Sequence, residues 1–307
     1  MNDLAIHTHG LAKYFDKTRA VDGLDLKVPR GAVYGFLGRN GAGKTTTVKT
    51  LLGLLRPSGG SAEVLGYDIG RDLIAILEHT GFVPENKTLF SGLTPAQLVH
   101  FNQGYFPKWS NELVARYADL FEIPMETPIA KLSLGNKTKV CHLLALCQGA
   151  DLLILDEPSI GLDPVITDLL LRVLVEDHVS EGKTVFLSSH QLTEVERIAD
   201  WVGIIEKGRI LLETRLEDIR QNYRLVRAAA ETAPDITSPD LLAVQSSGNF
   251  RSYLVSREAQ EFAAMLRSKG MTILEILPVS LEEVFLGLTR KEVSCTPGKH
   301  GTIAVLA

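Results

Sequence analysis

The sequence contains little cysteine and no long apolar run, and both absences narrow the class of protein. Three cysteines, Cys141, Cys147 and Cys295, occur in 307 residues. They are too few and too scattered for a disulfide framework, and their odd number suits a reducing compartment. No apolar stretch is long enough to span a bilayer, and the first residues lack the basic and apolar regions of a signal peptide. We therefore expect any membrane-spanning part to come from another subunit.

An excess of positive charge is also lacking, since the formal net charge is −5. This charge gives no general attraction to nucleic acid, so we expect no nucleic-acid partner. The apolar content of 45% and the charged content of 22% are ordinary for a soluble globular protein. The length leaves room for two domains.

One glycine-rich segment organises the rest of the chain. Gly38–Thr45 has the spacing Gly, four residues, Gly-Lys-Thr, which is typical of a phosphate-binding loop. Glycines let backbone N–H groups approach a polyphosphate closely, where a Cβ would block them. Lys44 would reach the terminal phosphates, and the Thr45 hydroxyl would bind Mg²⁺. The predicted nucleotide-binding residues of this loop are Gly38, Arg39, Asn40, Gly41, Ala42, Gly43, Lys44, Thr45 and Thr46.

The flanking sequence supports this interpretation. Residues 32–37 read as a short buried strand, and Val48, Leu51, Leu52 and Leu55 follow at helical spacing. The loop then lies between strand and helix, so the helix N-terminus points at the phosphates. The alternative is a glycine-rich turn with a chance Lys-Thr pair.

Two later apolar strands also end in polar side chains. The run 152–155 ends in Asp156 and Glu157, and the run 185–187 is followed by Ser188, Ser189 and His190. Strands that are apolar on both faces belong in the middle of a parallel sheet, and open α/β sheets bind ligands at the carboxyl ends of their strands. His190 could instead be a structural hydrogen bonder, but a parallel sheet would place it beside the loop and the acids.

Two further segments each have a structural and a functional interpretation. Ser133 and Gly135 lie at the start of a predicted helix, where Ser133 is either a plain N-cap or part of an anion site. Tyr14 and Phe15 stand before a polar turn, either as a packed strand end or as a base-stacking site.

The domain organisation follows from changes in the pattern. Two antiparallel strands begin an α/β domain over 1–220, which carries a helical subdomain at about 86–148. Residues 221–290 read as a small α+β appendage without a catalytic constellation, and 291–307 as a flexible tail. Thr94 and Ser280 are predicted N-caps, the latter with Glu283 in a capping box.

These segments, in this order, resemble the nucleotide-binding subunit of ABC transporters over roughly residues 4–220. Gly38–Thr45 resembles Walker A, 152–156 resembles Walker B, and Glu157 stands in the place of the catalytic glutamate. Residues 159–163 resemble the D-loop, His190 the switch histidine, and 132–136 the signature motif. The alignment puts Phe15 in the adenine-stacking place. The resemblance implies an α/β P-loop NTPase core of the ABC ATPase type.

The sequence departs from the family pattern at two sites. The signature has Leu134-Gly135 where the family has two glycines, and Asn136 where it has glutamine. Glu85 stands in the place of the Q-loop glutamine, where a carboxylate can still approach Mg²⁺ as a hard oxygen ligand.

The resemblance also implies a mechanism and partners. ATP and Mg²⁺ would bind, with Thr45, Asp156 and Glu85 as the candidate metal ligands. Lys44, Glu157 and His190 would be the catalytic residues, with Glu157 as general base. Two such subunits would pair head to tail, so that Ser133 and Gly135 serve the nucleotide of the partner. Residues 278–286 resemble the C-terminal extension of exporter ATPases, which implies a separate polytopic membrane subunit and a place on the cytoplasmic face of the membrane.

Two other functions fit parts of the pattern. A soluble ABC ATPase of translation or DNA maintenance usually carries two ATPase domains or a long coiled coil, and this sequence has one phosphate loop and no sustained heptads. A small-molecule kinase would need an acceptor site and a lid, and would leave Ser133, Gly135 and His190 unexplained.

Overall fold

The computed structural model describes residues 4–229, 236–289 and 303–305. The chain divides into two compact units, Met1–Glu213 and Thr214–Ala307. The division falls before the boundary at 220 that the sequence pattern suggests. Among the described residues, no helix is both long enough and apolar enough to cross a membrane.

The first unit is a mixture of strands and helices, as predicted. Its strands are β1 (Leu4–Phe15), β2 (Thr18–Pro29), β3 (Val33–Leu37), β4 (Gly59–Val64), β5 (Tyr67–Asp68), β6 (Thr80–Val83), β7 (Leu152–Asp156), β8 (Thr184–Ser189), β9 (Trp201–Glu206) and β10 (Arg209–Arg215), the last crossing the boundary. Its helices are α1 (Lys44–Leu51), α2 (Leu73–His79), α3 (Pro95–Gln103), α4 (Asn111–Leu120), α5 (Leu134–Cys147), α6 (Pro164–Val173) and α7 (Leu192–Ile198).

A six-stranded sheet forms the centre of this unit, in the order β10-β9-β3-β8-β7-β6. Strand β3 pairs in parallel with β8 and β9, and β7 pairs in parallel with β6 and β8. Every residue of β3, β7 and β8 is buried, because both faces of the sheet are covered and these runs are mostly apolar. The carboxyl ends of these three neighbouring strands therefore meet at one edge of the sheet.

The N-terminal β subdomain is the antiparallel sheet β2-β1-β4-β5. Alternate residues of β1 and β2, among them Ile6, Val21, Leu24 and Leu26, are completely buried. They belong to the same apolar core as Phe36 of β3. The predicted antiparallel pair at the start of the chain is thus confirmed.

The helical segment between β6 and β7 contains α3, α4 and α5. Thr94 accepts a hydrogen bond from the backbone of Gln97 in a complete capping box, and Pro95 is the first helical residue. Ser110 and Ser133 cap α4 and α5 in the same way. Each helix therefore begins where a side-chain oxygen satisfies a free N–H group. The predicted start at Thr94 is confirmed.

The second unit is an antiparallel sheet with three helices. Its elements are α8 (Leu216–Asn222), β11 (Arg224–Ala229), β12 (Leu241–Ser247), β13 (Phe250–Val255), α9 (Ala259–Ser268), β14 (Thr272–Pro278), α10 (Leu281–Thr289) and β15 (Ile303–Val305). The strand order is β14-β11-β13-β12-β15. The predicted capping box is confirmed, because Ser280 Oγ accepts from Glu283 N and the Glu283 carboxylate accepts from Ser280 N. The predicted tail at 291–307 lies outside the described residues except for β15.

Candidate functional site

The loop between β3 and α1 has a backbone that only glycine fits well. Gly41 and Gly43 have positive φ angles of 82° and 115°. A Cβ on Gly43 would lie 2.4 Å from the Ala20 carbonyl oxygen, and one on Gly38 would lie 2.7 Å from the Ile205 carbonyl oxygen. Both distances are shorter than any real contact, so side chains are excluded at these positions. The N–H groups at the start of α1 are left for a ligand.

Lys44 is the charged residue of this loop. It is 5% exposed, its Nζ donates to the Gly38 carbonyl oxygen at 2.7 Å, and the same atom lies 3.3 Å from Glu157 Oε1. Its ammonium is held at the mouth of the loop, where it would meet the terminal phosphates of a nucleotide.

Glu157 contacts both Lys44 of the phosphate loop and His190, which follows β8. Its Oε2 lies 2.7 Å from His190 Nδ1, so the carboxylate is held between a lysine and a histidine. Glu157 is 4% exposed and has a φ of 50°, a left-handed conformation that is costly for a residue with a Cβ. The structure thus brings together Lys44, Glu157 and His190, the three predicted catalytic side chains.

Asp156 is the last residue of β7 and is 1% exposed. Burial raises the pKa of its carboxyl group, while hydrogen bonds from Ser188 and Thr45 act in the opposite direction. The Ser188 hydroxyl donates to Asp156 Oδ1, because β7 and β8 are parallel neighbours and place Asp156 opposite Ser188. The single hydroxyl proton of Thr45 is shared between Asp156 and Glu85, whose Oε2 lies 3.2 Å from Thr45 Oγ1. Three oxygen-bearing side chains therefore converge beside α1.

A cavity of about 220 Å³ lies over the loop. Its lining residues are Thr18, Arg19, Ala20, Arg39, Asn40, Gly41, Gly43, Lys44, Thr45, Thr46, Glu85 and Glu157. Most were predicted from the sequence as nucleotide or metal ligands. Thr18, Arg19 and Ala20, the first residues of β2, were not predicted. Ala42 is buried beneath the loop, where its carbonyl accepts from Gly208 N at 2.8 Å.

Phe15 and Tyr14 are both solvent-accessible, with 43% and 40% of their surface exposed. Lys13 Nζ lies 5.0 Å from the centre of the Phe15 ring, and the Tyr14 hydroxyl donates to Asp22. Neither ring is therefore buried in a packed strand end, which was the structural alternative for these two residues. Stacking of Phe15 on a base stays a prediction.

The segment around Ser133 is a separate structural feature. Ser133 Oγ accepts from Asn136 N at 3.2 Å and caps α5. A Cβ on Gly135 would lie 2.4 Å from the Gly161 carbonyl oxygen, so this glycine allows α5 to approach the loop after β7. Leu134 is 52% exposed. Among the described residues that line the cavity over the phosphate loop, neither Ser133 nor Gly135 occurs.

Lys87 is a residue of the site that the sequence pattern did not indicate. It is 5% exposed, and its Nζ donates to the Pro84 carbonyl and lies 3.4 Å from the carbonyl oxygens of Asp156 and Glu157. Burial lowers its pKa, and Cys141 and the carboxylates of Asp156, Glu85 and Glu157 act in the opposite direction. A single lysine in a polar loop gives no sequence signal of burial. Only the pairing of β6 with β7 brings it to the acids.

The donor set at the site suits a hard cation that also binds phosphate. Among the described residues there is no group of three or more His, Cys, Asp or Glu that could hold a metal by itself. Mg²⁺ does not require such a cage, since it commonly binds one or two protein oxygens together with substrate phosphates and water. The oxygens of Thr45, Asp156 and Glu85 fit that pattern.

Comparison with known proteins gives one consistent result. Residues 21–160 match the family model described as ABC transporter. The chain is 34% identical to the bacitracin transport ATP-binding protein BcrA of Bacillus licheniformis, over 71% of this chain and 72% of that protein. It is 30% identical to the Nod factor export ATP-binding protein I of Ralstonia nicotianae, over 94% of each. A solved ATP-binding subunit of an ABC transporter superposes with a TM-score of 0.65 at 28% identity, over 71% of this chain and 92% of that one.

Proposed function

This chain belongs to the ABC transporter family as one of its ATP-hydrolysing, ATP-binding proteins, and we propose that it drives export through a separate polytopic membrane subunit. The proposal is supported by the names of two relatives, which describe bacitracin transport and Nod factor export. The resemblance of residues 278–286 to the C-terminal extension of exporter ATPases also supports export. The protein would then lie at the cytoplasmic face of the membrane, held there by the membrane subunit.

The arrangement of Lys44, Glu157 and His190 carries the catalytic part of the proposal. Glu157 Oε1 and Oε2 are held by Lys44 and His190 at 3.3 and 2.7 Å. When Lys44 pairs with the phosphates of ATP, Glu157 becomes available to accept the proton of a water molecule that attacks the γ-phosphorus. The bond from the γ-phosphorus to the bridging oxygen breaks, and ADP and phosphate are formed. His190 keeps the carboxylate oriented.

Thr45, Asp156 and Glu85 would hold Mg²⁺, which supplies charge neutralisation for the phosphates when bound. Asp156 is already oriented by Ser188, and Glu85 by Thr45. With these side chains oriented before the ion arrives, the ion would also bind phosphate oxygens and water.

Ser133 and Gly135 would act on the nucleotide of a second subunit. They stand at an accessible helix start with an exposed leucine between them, and the cavity over their own phosphate loop does not include them. In a head-to-tail dimer each signature segment would close the other subunit's cavity. The second subunit is either another copy of this chain or a related one.

The role of Glu157 is tested by Glu157→Gln, which removes the base and keeps the shape. We expect steady-state ATP hydrolysis to be lost and ATP binding to be retained, because the amide cannot accept the proton. The matched control is Glu63→Gln, at an exposed position of β4, which should hydrolyse ATP like the wild type. Wild-type turnover in Glu157→Gln would exclude the assigned role.

The export role is tested by isolating the tagged protein from gently solubilised membranes. We expect a polytopic membrane protein to copurify in a fixed ratio, and its loss to abolish the membrane association. Copurification with ribosomes or DNA, and no membrane protein, would instead indicate a soluble factor and overturn the export proposal.

A further inference from the structure

Lys87 contacts the backbone that carries the catalytic carboxylate, and it does not occur among the described residues that line the nucleotide cavity. Its Nζ faces three backbone carbonyl oxygens, those of Pro84, Asp156 and Glu157. Pro84 follows β6, and Asp156 and Glu157 end and follow β7. One ammonium thus ties together the ends of two neighbouring parallel strands. At 5% exposure it is shielded from water, so these contacts are not weakened by solvent as surface contacts are.

The backbone of Glu157 needs such support. Its φ of 50° is a conformation that is unfavourable for a residue other than glycine and persists only when its surroundings hold it. The Glu157 N–H donates to the Ser188 carbonyl oxygen at 3.0 Å, and the Glu157 carbonyl oxygen faces Lys87 Nζ at 3.4 Å. The two contacts fix the peptide groups on either side of the residue that bears the base.

Lys87 also contributes to the charge balance of the site. Glu85, Asp156 and Glu157 bring three carboxylates close to one another, and Asp156 interacts electrostatically with the other two. Lys44 offsets part of this charge through its ion pair with Glu157, but Lys44 lines the cavity and would turn to the phosphates of ATP. Lys87 is then the side-chain cation that stays with the acids, in addition to the Mg²⁺ that Asp156 and Glu85 would hold. Its Nζ lies 3.4 Å from the carbonyl oxygens of Asp156 and Glu157, and its charge acts on the carboxylates of both residues and of Glu85.

We propose that Lys87 is a positioning residue for ATP hydrolysis: it holds the Glu157 peptide in its left-handed conformation and balances the additional carboxylate of Glu85. The inference rests on the proposed role of Glu157 as base. It predicts an energetic coupling between positions 85 and 87. A lysine that only stabilised the fold would show no such coupling.

The test is a double-mutant cycle on the full-length protein. Lys87→Met keeps the length of the side chain and removes the charge and the donors. We expect kcat for ATP to fall roughly 10- to 100-fold, because a small displacement of a catalytic group has an effect of this size, with KM changed less than about 2-fold. Lys87→Arg keeps the charge and should retain most of kcat. Lys27→Met, an exposed residue of β2, is the matched control and should behave like the wild type.

The same Lys87→Met change is then made in a Glu85→Gln background. With one carboxylate fewer, we expect the loss of kcat caused by Lys87→Met to become smaller by about 3-fold or more, while the part that is due to the lost carbonyl contacts remains. An equal loss of kcat in both backgrounds would exclude a role for Lys87 in balancing the charge of Glu85. An unchanged kcat in Lys87→Met would overturn the proposal as a whole.

Lys87→Gln serves if the methionine variant fails to fold, because the amide retains a donor for the carbonyl oxygens without the charge. It is expected to lose the part of kcat that depends on the charge and to recover that part with Glu85→Gln, and wild-type turnover would count against the proposal. Glu157→Gln measured alongside separates the two hypotheses. If Glu157→Gln still turns over, the assignment of the base fails, whatever the result at Lys87.

Discussion

The phosphate loop and the signature segment are both turns with glycine at the start of a helix, and their differences are informative. The first enters α1 through Gly43 in a left-handed conformation, without a side chain that could cap the helix. The second enters α5 through Ser133 in an extended conformation, and the serine accepts the hydrogen bond from Asn136 N. The first helix start keeps its donors for a ligand, and the second satisfies a donor within the chain.

The glycines of the two segments also have different neighbours. Gly43 is confined by the Ala20 carbonyl, at the edge of the nucleotide cavity, whereas Gly135 is confined by the Gly161 carbonyl. Glycine is therefore required in the first segment by the loop conformation beneath a phosphate. In the second it is required by the packing of α5 against the loop after β7. The comparison separates the binding of nucleotide by one chain from the proposed completion of a site between two chains.

Gly43→Ala should give the largest effect. The new Cβ meets the Ala20 carbonyl, and the φ of 115° is strained for alanine. We expect ATP affinity to fall more than about 100-fold, which corresponds to roughly 3 kcal/mol of strain and lost contacts. Equilibrium binding of a fluorescent ATP analogue measures it. Gly182→Ala, at a positive φ with open space around it, controls for general backbone strain, and binding as tight as wild type in Gly43→Ala would contradict the loop geometry.

Gly135→Ala should give the next largest effect, and we expect this effect on ATP hydrolysis rather than on ATP binding. The Cβ would displace α5 from Gly161, so we expect ATP hydrolysis to fall about 10- to 100-fold. Binding of ATP to the phosphate loop should stay within about 2-fold of wild type, because Gly135 does not line that cavity. Parallel titrations of binding and of hydrolysis separate the two. A fall in binding as large as the fall in hydrolysis would remove the distinction between the segments.

A smaller effect is expected from His142, which anchors α5. The residue is completely buried, its Nε2–H donates to the Pro158 carbonyl at 2.8 Å, and burial lowers its pKa to about 4. The unfolded chain takes up this proton below about pH 6.5, so stability is complete above that pH and is lost as the pH falls toward 4. Between pH 8 and pH 5 the loss is about 2 kcal/mol.

Denaturant unfolding at several pH values measures this dependence, with His142→Gln as the comparison. The glutamine variant should lose about 2 kcal/mol less than wild type over the same pH interval. His100→Gln changes an exposed histidine and should leave the dependence as it is. An identical pH dependence in wild type and His142→Gln would exclude His142 as its source.

The segments that the sequence predicted are those whose geometry is set locally. The glycine spacing of the phosphate loop, the proline after Thr94 and the capping box at Ser280 each fix a conformation within a few residues. The buried strands were recognised because a short strand that is apolar on both faces is typical of the middle of a parallel sheet. The ends of β3, β7 and β8 could therefore be placed together before their order was known.

The parts that the sequence did not predict depend on pairing between distant residues. Ser188 meets Asp156 because β7 and β8 are in a particular register, and Lys87 is buried because the end of β6 lies against the end of β7. Thr18, Arg19 and Ala20 line the cavity because the turn between β1 and β2 reaches the phosphate loop. The local pattern of residue types does not predict any of these contacts.

The position of β3 in the sheet determines when the nucleotide site can form during synthesis. Val33 pairs with Val185 on one side, and Tyr34 pairs with Trp201 on the other. Strand β3, which leads into the phosphate loop, thus cannot pair with both of its neighbours until residues 184–206 have been synthesised. At roughly 5–20 residues per second, this interval lasts on the order of ten seconds or more. During that time the nascent chain exposes an apolar strand and lacks a finished ATP pocket, which makes this interval the one in which chaperones or aggregation would act.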